Sequence, residues 1–268
     1  MKWTSLLPAL LALPSLAFQP LVQSRAPPSK PDQCKCHPGD ACWPTTSQWS
    51  SLNQTVSGRL VLAIPPGAAC YPSFNGLPTF NPAKCADAAA NWFNPNWMAD
   101  QATLPMTPVW SNNTCEPNTS TGSGPPAGCP ATCLEGFLSP HAILAAKASD
   151  IVAGVNFARK YNLRIIIRNT GHCFMGRSVG WGALVINTHR MKGIKFDGKK
   201  NSDGHTGGTV TIGAGVQFSD VYPEAWSRGL DILGGECPVS PQQQCLLFLE
   251  DALTWIWVVL LREGSTDG

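Results

Sequence analysis

The sequence is poor in charge. Lys, Arg, Asp and Glu make up 13% of its 268 residues, and the formal net charge is only +2. That leaves no basic face for nucleic acid and none for an anionic membrane surface. A bilayer-spanning segment, which takes roughly 20 mostly uncharged residues, is missing as well. Residues 6–16 are apolar but short and broken by Pro8 and Pro14, and residues 245–261 are interrupted by Glu250 and Asp251. The complete Gly-x-Gly-x-x-Gly fingerprint is also lacking. Thr211-Ile212-Gly213-Ala214-Gly215-Val216 supplies its first half, but Phe218 stands where the last glycine belongs, which disfavours a dinucleotide Rossmann site. Cys34-Lys35-Cys36-His37 with Cys42 fits no zinc-ligand spacing, so no metal is expected.

What is present points to export. Lys2, the apolar run behind it and Ser15-Leu16-Ala17 form the pattern of a secretory signal peptide over residues 1–17, and the chain is expected to be secreted and extracellular. All 11 cysteines follow this segment. In an exported chain they read mainly as disulfides, and the odd number leaves at least one without an intramolecular partner. Asn53-Gln54-Thr55, Asn112-Asn113-Thr114 and Asn118-Thr119-Ser120 are N-glycosylation sequons, which agree with that compartment. The 25 glycines and 24 prolines imply many turns.

The texture divides the chain into four parts. After the signal, residues 18–134 are rich in Cys, Pro, Asn and Trp and have little sustained periodicity. They read as an irregular, disulfide-stapled extension, with a helix start near Ser47 that turns Trp49 and Leu52 inward and a short helix within 81–97. Trp43, Trp49, Trp92 and Trp97 read as packing residues rather than a sugar platform.

Residues 135–238 change character. A strand over 142–147 leads into a helix started by Ser149-Asp150, with Ile151, Val152, Val155, Phe157 and Ala158 as its apolar positions. Asn162 suits the turn before a β-branched strand over 163–167. Further strands are predicted at 183–187, 194–196 and 209–212, and a helix at 219–228 closed by Gly229. This mixture predicts an α+β layered domain. Residues 239–268 form a divergent tail, in which 245–261 suits a core helix.

The stretch 168–178 carries the chemistry. Gly171 and Gly176 let backbone approach a ligand, Thr170 and Ser178 add hydroxyls, and consecutive N–H groups in such a loop can cradle a pyrophosphate. His172 sits between small residues, from which its ring can reach a bound group. Taken alone, this composition fits a β-turn with a surface histidine equally well. In Gly234-Gly235-Glu236-Cys237-Pro238 a cysteine behind two glycines can present its sulfur to a planar ligand, or it can be one more disulfide partner. His141, His189 and His205 lack company of the right kind in the sequence. A cysteine hydrolase using Cys173 or Cys237 with His172 has no orienting Asn or Asp context.

Taken in order, these pieces resemble the berberine-bridge-enzyme-like flavoproteins of the vanillyl-alcohol oxidase superfamily, which share a PCMH-type FAD-binding domain. The secreted fungal branch matches best. The resemblance rests on Asn169-Thr170-Gly171-His172 with Gly176-Arg177-Ser178, on the Gly213 and Gly215 turn, and on Gly234, Gly235 and Cys237. It extends to Cys34-Lys35-Cys36, Cys42-Trp43-Pro44 and the run 52–60. It implies an FAD-linked oxidase or dehydrogenase that holds FAD covalently, His172 joining the flavin 8α-methyl carbon and Cys237 joining C6. It implies hydride transfer from the C–H bond of a small molecule (a sugar, an alcohol or a secondary metabolite) to the flavin, with O2 as acceptor. The catalytic base is not assigned.

Two departures stand out. Cys173 replaces the Asp that usually follows the histidine, and a buried, inert cysteine is the expected outcome there. From Val239 the chain leaves the family pattern, so the FAD-binding domain is expected to be incomplete, C-terminally truncated and without its substrate domain. Such a chain is expected to bind FAD poorly and turn over little. The alternative is a non-catalytic, secreted, Cys-rich glycoprotein fragment.

Overall fold

A computed structural model describes residues 34–106, 115–126, 132–173, 175–197 and 209–232, and the backbone of 257–263. The signal segment, the sequon at Asn112, the polar turn after residue 197 and the Gly234, Gly235 and Cys237 element lie outside the described residues. From Lys35 onward the chain belongs to one unit.

The first sheet has the order β1-β4-β6-β5, with β1 at Leu60–Leu62, β4 at His141–Leu144, β5 at Arg164–Arg168 and β6 at Ala183–Asn187. β4, β6 and β5 run parallel and β1 is antiparallel to β4. β6 lies between two parallel neighbours and every residue in it is buried, as an Ala-Leu-Val-Ile-Asn run allows. Helix α4 (Ala148–Lys160) makes the crossover from β4 to β5, and Asn162, with φ +52°, turns the chain out of it.

The inward face of α4 differs from expectation. Asp150, Gly154 and Ala158 are buried, whereas Val152 and Val155 are 56% and 44% exposed. The carboxylate of Asp150 sets this phase. It accepts from Arg59 Nε (2.8 Å) and Nη2 (2.7 Å) and from the N–H groups of Ala146 and Lys147. A buried carboxylate needs those partners, and the helix rotates to provide them. Gly154 then meets the sheet where a Cβ would lie 2.8 Å from Ile143 Cδ1.

The extension is more regular than its composition suggests. Thr45 and Gln48 form a capping box for helix α1 (Thr46–Thr55), whose Trp49 and Leu52 pack inward as expected. Asn81-Pro82 and Asn94-Pro95 start α2 (Pro82–Asn91) and α3 (Pro95–Asp100), each Asn side chain capping N–H groups behind a proline that has none to lose. The two-residue strands β2 (Ser73–Phe74) and β3 (Leu77–Pro78) are joined by Asn75-Gly76, both at positive φ.

The extension also shares the first sheet. β1 comes from it, and Cys36, Trp49, Leu52 and Val56 join Ile143, Leu184 and Ile186 in one hydrophobic cluster. Its remainder forms a separate cluster around Tyr71 and Phe74, containing the disulfides Cys70–Cys85 and Cys115–Cys133. A third disulfide joins Cys36 to Cys42.

The second sheet has the order β7-β8-β10-β9 and is antiparallel throughout, with β7 at Ile194–Asp197, β8 at Thr209–Ile212, β9 at Leu230–Ile232 and β10 at Trp257–Glu263. Helix α5 (Phe218–Trp226) packs on it through Phe218 and Val221. The expected core helix over 245–261 is therefore corrected for 257–261. Those residues pair as a strand between β8 and β9, a choice that apolarity alone cannot make. Among the described residues, no helix is long and apolar enough to cross a membrane.

Candidate functional site

The loop after β5 begins at Arg168, whose side chain is 1% exposed. Its guanidinium donates to the carbonyls of Met98 (3.0 Å), Ala99 (3.2 Å) and Leu104 (2.7 Å), which belong to α3 and the turn behind it. It also donates to the carbonyl of Asn169 (2.9 Å) and, at 3.5 Å, to that of Thr170. The Gly171 carbonyl accepts from Met106 N–H at 3.1 Å.

Three successive loop carbonyls are thus taken from one side. The peptides are trans, so the N–H groups of Thr170 and Gly171 point away from the guanidinium. Gly171 makes the curl possible with φ +87°, and a Cβ there would lie 3.1 Å from the guanidinium. N–H groups set in this way suit an anion.

Thr170 is fully buried, and its hydroxyl has no hydrogen-bond partner among the described residues. An unsatisfied buried hydroxyl costs about 1–3 kcal/mol, so its presence favours a polar group arriving beside it. His172 is half-buried. Gly176, with φ +71°, returns the loop by donating to the Cys173 carbonyl, and Ser178 is buried beyond it.

Asn169 joins this loop to the second Gly-containing element. Its Nδ2 donates to the Ala214 carbonyl, and its Oδ1 faces His189 Nδ1 at 3.3 Å. His189 Nε2 in turn lies 3.2 Å from Asp100 Oδ1. Both imidazole nitrogens face acceptors, so a neutral ring satisfies one and a protonated ring both. Burial and the charge of Lys192 hold the His189 pKa below its ordinary value, against the pull of Asp100.

Gly213 and Gly215 lie close to other backbone. A Cβ on Gly213 would run into the Met191 carbonyl, and one on Gly215 into the His189 carbonyl. Their N–H groups donate to the Gly193 and Met191 carbonyls. These glycines seat the turn against the segment 188–193 between β6 and β7.

Cys173 is half-buried rather than buried. Its Sγ accepts from Arg177 Nε at 3.3 Å. Burial would raise its pKa, but the Arg177 side chain, the N–H groups of Arg177 and Met175 and the charge of Arg177 together bring it below its ordinary value. Burial also lowers Arg168, to about 9, which leaves it protonated at neutral pH.

Arg168, His189 and Asp100 were not among the expected site residues. The only local signal was a charged residue closing the apolar run 165–167, and His189 and Asp100 meet through the fold alone. Concavities of about 430 and 570 Å³ are lined by other residues, around Trp226 and between α1 and α4.

Residues 140–236 match the family model described as an FAD binding domain. The chain is 40% identical over 205 residues to the FAD-linked oxidoreductase ZEB1 of Gibberella zeae, covering 76% of this chain and 34% of that protein. It is 33% identical over 229 residues to the FAD-linked oxidoreductase sor8 of Hypocrea jecorina, covering 85% and 38%. The crystal structure of the VAO-type flavoprotein MtVAO615 from Myceliophthora thermophila C1 superposes with a TM-score of 0.68 at 30% identity, over 78% of this chain and 36% of that one.

The chain is similar to FAD-linked oxidoreductases and to a VAO-type flavoprotein over part of their length. It spans about a third of the length of the relatives it matches. The loop after β5 and the turn after β8, joined by Asn169, both lie within the residues matched as an FAD binding domain.

Proposed function

We propose that this chain is the FAD-holding part of an exported oxidoreductase, with the loop after β5 as its cofactor cradle. The observation that carries this reading is the Asn169–Ala214 tie, which fixes the cradle against a second Gly-containing turn, together with the unpartnered hydroxyl of Thr170 beneath it. An orphan hydroxyl, outward N–H groups and a guanidinium behind them suit the pyrophosphate of FAD.

Asn169, Thr170, Gly171, Gly176 and Ser178 would shape and line the cradle, with Arg177 at its rim. Gly213 and Gly215 would support it from behind. His172 would hold the flavin at its 8α-methyl carbon through a ring nitrogen. Cys237, with Gly234 and Gly235, is assigned as the second attachment point.

Bound flavin would supply hydride acceptance from a substrate C–H bond and reoxidation by O2. The substrate is a small molecule of the sugar, alcohol or secondary-metabolite class. The alternative is a Cys-rich secreted fragment that holds no flavin. Export is supported by the disulfides Cys36–Cys42, Cys70–Cys85 and Cys115–Cys133, which persist in oxidising compartments.

Peptide mapping tests the assignment. The peptide containing His172 should carry the mass of FAD in a substoichiometric share of the secreted protein. If that peptide is always unmodified and the protein is colourless, the fragment reading holds instead.

A further inference from the structure

We propose that Arg168 is a positioning residue for the pyrophosphate of the bound dinucleotide, and that through it the extension segment 98–106 belongs to the cofactor site. This rests on the FAD reading above.

Among the described residues, every hydrogen bond of the Arg168 side chain ends on a backbone carbonyl, in the extension on one side and in the cradle on the other. Its fork holds the Asn169 and Thr170 carbonyls back, and Met106 N–H holds the Gly171 carbonyl. The N–H groups that face a ligand are set by these ties.

The charge of Arg168 is the second observation. Among the described residues no carboxylate forms an ion pair with this fully buried cation, although Asp100 is near enough to pull on its pKa. Its Nε also has no partner. A buried unpaired cation is unfavourable by itself. Directly behind outward N–H groups, it is compensated when an anion occupies the cradle. A neutral staple could hold the backbone equally well, so the retained charge points to an anionic ligand.

The test uses the full chain in a background with His172→Ala and Cys237→Ala combined, where FAD binding stays reversible. Arg168→Lys keeps the charge and loses the planar fork, and Arg168→Met loses both. FAD binding is followed by quenching of flavin fluorescence, with riboflavin, which lacks the pyrophosphate, as the second probe. The expected result is FAD affinity reduced at least tenfold in Arg168→Met and by less in Arg168→Lys, with riboflavin affinity unchanged in both. FAD affinity that stays the same, or equal losses for both probes, would overturn the proposal.

Should Arg168→Met not fold, Arg168→Lys and Met106→Pro decide. Met106→Pro removes the tie to Gly171, and wild-type FAD binding in both variants overturns the proposal. If the background binds no FAD at all, the FAD reading is what fails. Hydrogen exchange then tests the clamp. Faster exchange in 98–106 and 169–172 together in Arg168→Lys supports it, and unchanged exchange in 169–172 refutes it.

Discussion

The side-chain amide of Asn169 donates to the main-chain carbonyl of Ala214, across 45 positions of sequence. This contact ties the loop after β5 of the first sheet to the turn after β8 of the second. Its other atom, Oδ1, continues to His189 and from there to Asp100 in the extension. Four separate stretches of chain are therefore linked through one half-buried amide.

Asn169→Ala should lower stability by about 1–2 kcal/mol, the range for hydrogen bonds lost from a partly buried network. Asn169→Asp should cost more, because it sets a carboxylate oxygen against the Ala214 carbonyl. Urea unfolding of both variants checks the order, and flavin content should fall in the same order.

Gly215→Ala should be destabilising by roughly 2–3 kcal/mol, as overpacking is when backbone must move. The obstacle is the His189 carbonyl rather than a flexible side chain. Thermal unfolding of the flavin-free chain should already register the loss. An effect confined to flavin binding would mean that the glycine serves ligand approach instead.

Two groups should govern acid stability. His141 stacks on Trp49 with centroids 4.0 Å apart, has no partner for Nδ1, and is lowered by burial to about 4. Its unfolded value is near 6.5. The unfolded chain takes up the proton first, so this contribution is complete above pH 6.5 and is lost as pH falls towards 4. Asp150 follows. Burial opposes its ionisation, but the Arg59 hydrogen bond and charge and two N–H groups outweigh that and depress its pKa. Its contribution is present above the unfolded carboxylate value and lost as pH falls through the lower folded one. Urea midpoints against pH should therefore decline in two stages. His141→Phe, which keeps the stacking, should remove the first stage only.

Cys173 should alkylate with a pH midpoint below that of an ordinary thiol, near 8.5. Arg177→Leu should move the midpoint upward by removing the hydrogen bond and charge that favour the thiolate. Mass spectrometry of the Cys173 peptide over a pH series measures both. An unchanged midpoint in the variant would show that Arg177 has no hold on the sulfur.

Elements with a local signal were legible in the sequence. β6 runs over 183–187 as its apolar residues indicate, and Asn162 and Gly229 punctuate the chain by their positive φ. The loop after β5 was legible too, because Gly171 and Gly176 must take conformations other residues avoid. The rest depends on distant partners. The phase of α4 follows Asp150, whose partner Arg59 is 91 positions away. The strand at 257–263 exists through its pairing with β8 and β9. His189 looked isolated because Asp100 and Asn169 reach it only in the folded chain, and the guanidinium of Arg168 acts on carbonyls, which leave no trace in residue identity.

The most direct measurement is the visible absorbance of the acid-precipitated, washed protein, taken for the wild type and for His172→Ala combined with Cys237→Ala. The account predicts flavin colour retained in the wild-type pellet, at less than one flavin per chain, and lost from the double variant. Colour retained equally by the double variant, or absent from the wild type, would contradict it.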